Sequence, residues 1–174
     1  MRPVLLVIDA QRGWLGMSEG LKRSVDEHVG NMCKAISIFR KAGAPIIFTY
    51  HSSDAKEIVP GTKEFELLPN IAFEAEDGIL VKTYANAFNK TQLETMIRDR
   101  KCDTVLLIGL SAMHCVLATY HGAYDHDLIP YLVRGAVAGP DSESIQTAER
   151  ICDTLSLRAI AQILEQDLRV VGMG

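Results

Sequence analysis

The chain has 174 residues, 48% of them hydrophobic and 23% charged, and carries a formal net charge of −4. This length suits one domain over residues 1–174, able to bury roughly 70% of its unfolded surface, and the composition excludes a disordered chain. The acidic balance offers no field for nucleic acid, the longest apolar runs are far too short to cross a membrane, and the N-terminus enters a strand rather than a cleavable leader. The expected compartment is the cytoplasm and the expected partner a small molecule.

In chain order, VLLVID (4–9) predicts a first strand, followed by a helix over about 24–42 with Gly43 as its C-cap and Pro45 opening the next strand, PIIFTY (45–50). Residues 51–78, with Pro60, Gly61, Pro69 and Asn70, read as a long irregular loop of the kind that builds or covers sites. ILVK (79–82) predicts a third strand, and a helix follows over about 90–100 with Thr91 as N-cap. Then come TVLLIGL (104–110), a helix over about 113–126, LIPYLV (128–133), a helix over about 143–166, and a short final strand near Leu168 to Val171. Continuous apolar runs mark strands covered on both faces. Their alternation with helices predicts a three-layer α/β/α, Rossmann-like fold around a mostly parallel six-stranded sheet.

Ligands of open parallel sheets bind outside the carboxyl ends of the strands, where the strand order reverses. Four such ends carry chemistry here: Asp9 closes the first strand, His51 follows the second, Lys82 closes the third, and Cys115 follows the fourth across a small break, Ser111-Ala112. A thiol with a pKa of about 8.5 is only about 3% thiolate at pH 7, so a nucleophilic cysteine needs a base, a cation or a helix end. Asp9 supplies a proton acceptor, Lys82 a cation, and the helix predicted to begin near Met113 a dipole that favours thiolate. If the strands of Asp9, Lys82 and Cys115 lie side by side, their rim holds a hydrolase centre. Each residue alone has a plainer reading: an Asp capping a turn, a solvated Lys, a Cys packed in the core.

The remaining cysteines, Cys33, Cys102 and Cys152, form no Cys-x-x-Cys pair, which argues against a zinc knuckle or dithiol site, and they read as packed or surface thiols. His114-Cys115 could open a phosphatase loop, but His121 stands where that loop needs an arginine. His114, His121 and His126, at spacings of seven and five, share no metal-binding face and are expected in solvent or toward a partner.

Three segments, IDAQRGW (8–14), VKTYANAFNKTQL (81–93) and IGLSAMHCVLAT (108–119), resemble in order and spacing the isochorismatase-like cysteine hydrolase family, which includes nicotinamidases, N-carbamoylsarcosine amidase and ureidoacrylate amidases. The resemblance spans nearly the whole chain and implies the isochorismatase fold. It implies a catalytic triad of Asp9, Lys82 and Cys115, a cis peptide at Leu110-Ser111, and an oxyanion hole made by the N–H groups of Ser111 and Cys115. Trp14 matches the aromatic wall of the substrate pocket, with His51 and Leu110 beside it. Gln11 stands at a family position that shapes the loop, and Phe88 at one that serves packing. Members with a metal hold it through an Asp-x-His pattern, whereas this chain has Thr49 before His51 and no second histidine in the loop, so neither metal nor cofactor is expected. Gly135 replaces an Asp common after the fifth strand.

The activity implied is that of a cysteine-dependent amidohydrolase cleaving a small amide, ureido or N-carbamoyl substrate through a thioester, in a homo-oligomer, dimer or tetramer. Isochorismatase proper cleaves a vinyl ether and can do so without the cysteine, so Cys115 favours amide chemistry. The alternative is a catalytically silent member that serves as a binding or interaction module.

Overall fold

The computed structural model describes residues 1–171, and side chains through residue 165. Six strands pair in parallel: β1 (Pro3–Ile8), β2 (Ile46–His51), β3 (Gly78–Lys82), β4 (Thr104–Leu110), β5 (Ile129–Ala138) and β6 (Thr154–Leu155). The helices are α1 (Glu19–Lys41), α2 (Leu93–Asp99), α3 (Leu117–Asp125), α4 (Ser142–Ile151) and α5 (Leu157–Val171). The spatial order is β3-β2-β1-β4-β5-β6. The chain therefore runs outward from β1 through β2 and β3, then crosses to β4 on the other side, and the reversal falls between β1 and β4.

Every residue of β1 and β4 is buried, as their unbroken apolar sequences require. Val4, Leu6 and Ile8 pack with Leu93, Tyr120 and Ala148 of α2, α3 and α4, while Leu5 and Val7 pack with Phe39 and Ile160 of α1 and α5. These are the three layers. Each large apolar side chain buried there contributes about 1.5–3 kcal/mol.

Local chemistry fixes the element ends. Ser18 caps α1, its Oγ accepting the Leu21 N–H at 3.1 Å, so the helix starts several residues before the expected position. At the far end Gly43, with φ +61°, and Ala44 donate to the carbonyls of Arg40 and Phe39 at 3.0 and 2.9 Å, a Schellman closure. Gly109 has φ +114°, and a Cβ there would lie 2.1 Å from the Ile8 carbonyl oxygen. Only glycine lets β4 close on β1 one step before the rim.

Three expectations are corrected. The helix expected over 143–166 is two helices, broken at Cys152, whose extended backbone leads into β6. The sixth strand is thus Thr154–Leu155, while the expected strand near Leu168 to Val171 is the end of α5. β5 continues to Ala138 because Gly135, at φ +71°, absorbs a register shift: Leu132 pairs with Leu107, but Val137 with Gly109. The expected N-cap is corrected as well: α2 begins at Leu93 with Gln92 as its N-cap, and Thr91, one residue earlier, accepts the Leu93 N–H at 3.2 Å. Among the described residues, no helix is long and apolar enough to cross a membrane.

Candidate active site

β1 and β4 are neighbours, but β2 lies between β1 and β3. The three strands that end in Asp9, Lys82 and Cys115 are therefore not side by side, which corrects the sequence expectation. Strands stand about 4.8 Å apart, so the Lys82 side chain must pass over β2 to reach Asp9. His51, the last residue of β2 and the register partner of Lys82, lies on that path.

The result is a four-membered cluster. Lys82 Nζ donates to Asp9 Oδ2 at 2.7 Å and to the carbonyls of Tyr84 and Ala85 at 3.0 and 3.4 Å. His51 Nδ1 stands 3.3 Å from Lys82 Nζ, 3.5 Å from Cys115 Sγ and 3.6 Å from Asp9 Oδ2. One ring nitrogen thus meets acid, ammonium and sulfur. Without a proton it can accept from the lysine or the thiol. With one it can donate to the carboxylate or a thiolate, so it suits both ends of a proton transfer. Thr49 Oγ1 donates to Asp9 Oδ1 at 2.6 Å, holding the carboxylate on its other oxygen.

Cys115 is presented by a wide π-helical turn over Ala112–Val116, entered through a cis Leu110–Ser111 peptide and an extended Ser111. Buried Ala112 and Val116 anchor that turn, and the N–H groups on either side of Cys115 donate to the Ser111 carbonyl at 2.9 and 3.3 Å. The Ser111 hydroxyl is buried without a hydrogen-bond partner.

Electrostatics at the cluster separate the acid from the thiol. Burial opposes ionisation of Asp9, but the hydrogen bond from His51, the Lys82 ammonium and Thr49 outweigh it, and the carboxyl is held below its usual range. The Cys115 thiol is pushed up to about 12, by burial first and by the Asp9 charge second, against a smaller opposing pull from Lys82. Both shifts favour a thiol beside a carboxylate, so the sulfur needs a base to take its proton as it attacks.

A cavity of about 470 Å³ opens onto the sulfur. Trp14, His51, Leu110 and Ser111 line it, joined by Met17 and Pro140. His114, exposed at the rim, also lines it. Beyond His51 the long loop contributes no lining residue and works at one remove. The Phe65 carbonyl accepts from Gln11 Nε2 at 3.1 Å, while Gln11 Oε1 accepts from the His51 N–H at 2.8 Å and from Trp14 Nε1 at 3.3 Å. Gln11 thereby sets both the wall and the histidine, whose rings meet edge to face at 5.3 Å. Phe88 packs in the core and stacks on His126 at 4.7 Å.

The roles of Gln11 and Thr49 went beyond the sequence reading. The available signal was polar residues within two positions of Asp9 and of His51, at strand ends otherwise fully apolar. Asp9, His51 and Cys115 also have ligand atoms within 4.8 Å of one another. They do not suit a metal ion, because the Lys82 ammonium already lies against the same carboxylate and imidazole.

Residues 3–153 match the family model described as the isochorismatase domain. The chain belongs to the isochorismatase family and is a hydrolase of that class. A maleamate amidohydrolase of Pseudomonas putida is 25% identical over 163 residues, covering 82% of this chain and 75% of that protein. An uncharacterized isochorismatase family protein of Bacillus subtilis is 25% identical over 139 residues, covering 79% of this chain and 74% of the relative. The crystal structure of N-carbamoylsarcosine amidase from Thermoplasma acidophilum superposes with a TM-score of 0.77 at 27% identity, covering 90% of this chain and 95% of that one.

Proposed function

We propose that the protein is a cysteine-dependent amidohydrolase that cleaves the C–N bond of a small amide, ureido or N-carbamoyl substrate through a thioester on Cys115. The observation that supports this most is one nitrogen, His51 Nδ1, within 3.6 Å of the sulfur, the carboxylate and the ammonium, at the mouth of a cavity. Amidase relatives by name add weight.

Asp9 takes the thiol proton as sulfur attacks the carbonyl carbon, with His51 steadying the sulfur. The N–H groups of Ser111 and Cys115 receive the oxyanion, each such donor being worth about 3–4 kcal/mol. As the tetrahedral adduct collapses, the C–N bond breaks and Asp9 passes its proton to the leaving nitrogen, releasing ammonia or an amine. Water then attacks the thioester, giving its proton back through Asp9, and the acid leaves as the thiol re-forms. Lys82, with its donors committed to Asp9 and two carbonyls, keeps Asp9 ionised rather than touching substrate.

The enzyme is inferred to act in the cytoplasm, as one hydrolase domain over 1–174 within a homo-oligomer. An ammonia-release screen over nicotinamide, N-carbamoyl amino acids, ureides and simple amides tests the activity, with mass spectrometry following Cys115. A transient acyl mass on that peptide is expected; turnover that leaves Cys115 unmodified under rapid acid quench contradicts the mechanism. Light scattering on the purified chain checks the assembly, and a fully active monomer contradicts it.

A further inference from the structure

The walls of the cavity are apolar: Trp14, Met17, Leu21, Leu110 and Pro140 surround the approach to the sulfur. Charge is scarce there. The Lys82 side chain is 0% exposed and its ammonium is matched by Asp9, so the pair is neutral as seen from the cavity. His51 is engaged with lysine and thiol, and His114 sits at the exposed rim. Among the described lining residues there is no arginine and no lysine.

A carboxylate entering this space would lose its water and find no guanidinium fork or free ammonium to replace it. A neutral ring or alkyl group loses nothing comparable and gains contact with Trp14 and the aliphatic walls.

We propose that the substrate is an uncharged amide with a compact apolar body, a single ring or short alkyl chain, and that carboxylate-bearing amides are turned away. This rests on the amidohydrolase reading above and narrows it.

Two matched pairs test it on the full chain: benzamide against 4-carbamoylbenzoate, and butanamide against succinamate. Ammonia release and acyl mass on Cys115 are read at pH 8.5, well above the ordinary imidazole pKa of about 6.5. The neutral member should outpace its acid by at least about 100-fold, the discrimination expected when a buried charge is left unpaired. Faster turnover of the acids would overturn this inference and leave the amidohydrolase reading standing.

Alkylation of Cys115 by iodoacetamide against iodoacetate reads the same property without turnover. Both reagents draw on one thiolate, so its fraction cancels from the ratio of rates. That ratio should exceed the ratio for N-acetylcysteine by at least about tenfold. Met17→Arg, at a rim position already 49% exposed, should bring it back toward the free thiol. If all four amides are inert while the wider ammonia-release screen finds a substrate, this inference is overturned and the amidohydrolase reading stands; if that screen is empty too, the amidohydrolase reading fails, and the reagent ratio alone decides whether the cavity rejects anions. An iodoacetate preference overturns the proposal in either case.

Discussion

The two rims of the sheet carry the same trio of groups, a thiol, a carboxylate and a cation. At the amino end, Cys102 lies beside Asp103, which pairs with Arg2; at the carboxyl end, Cys115 lies near Asp9, which pairs with Lys82. Both thiols are raised by burial first and a neighbouring Asp second, and both Asp carboxyls are lowered despite burial. What differs is the setting. The Arg2–Asp103 side chains are 65% and 41% exposed at 3.6 Å, whereas Lys82 and Asp9 are 0% and 2% exposed at 2.7 Å. Cys102 faces backbone carbonyls of Pro3 and Arg100, whereas Cys115 faces an imidazole and a cavity. Acid, base and sulfur lie close at both rims; desolvation, a fourth proton-handling group and room for a substrate set the carboxyl rim apart.

The sharpest way to break this contrast is to remove each sulfur. Cys115→Ala should abolish turnover and the acyl mass while circular dichroism stays native, and Cys102→Ala should leave turnover unchanged within about twofold. Residual hydrolysis in the first variant would erase the distinction. Next come the acids: Asp9→Asn should lower kcat/KM by about 10²–10⁴-fold, the usual worth of a general base, and Asp103→Asn should not alter it.

Stability separates the ion pairs. Lys82→Met strands a buried carboxylate and should cost about 3–5 kcal/mol in urea unfolding at pH 7, against less than about 1 kcal/mol for Arg2→Ala. Because the Asp9 carboxyl is lowered in the fold, its contribution is present above the unfolded carboxyl range and lost as pH falls through the folded value. The gap between wild type and Lys82→Met should accordingly narrow in acid, and a constant gap would deny the pairing. A smaller effect is expected from His51→Gln, about tenfold in kcat/KM, the worth of one hydrogen bond of about 1.4 kcal/mol. Full activity in that variant would reduce the fourth group to a bystander.

A further effect lies at high pH, outside the range in which the enzyme would work. The Cys115 thiol is raised from 9.0 to about 12, so above pH 9 the unfolded chain gives up a proton that the folded chain keeps. Stability should fall from pH 9 toward 12, and Cys115→Ala should flatten part of that decline. Part should remain, because Cys152 is also raised, to about 11.

Much of this was legible in sequence because strands buried on two faces write themselves as unbroken apolar runs, as VLLVI and TVLLIGL do. The carboxyl-end rule then gathered Asp9, His51, Lys82 and Cys115 without any contact being known. Strand order was not legible, and with it went the place of His51, which follows from β2 lying between β1 and β3. β6 escaped because two residues carry no periodicity, and the break at Cys152 has neither Gly nor Pro to announce it. The run LRVV at 168–171 has the β-branched look of a strand but continues a helix. Gly135 looked like a strand end, yet its left-handed backbone lets β5 go on.

Gln11 has a consequence for how such a protein diversifies. Its amide is a lever with the Phe65 carbonyl at one arm and the Trp14 indole and His51 backbone at the other. Insertions or deletions between residues 52 and 77 would tilt that lever and retune which molecules are accepted, although nothing in that stretch lines the cavity. Selectivity could then drift through the scaffolding while the reactive groups stand still.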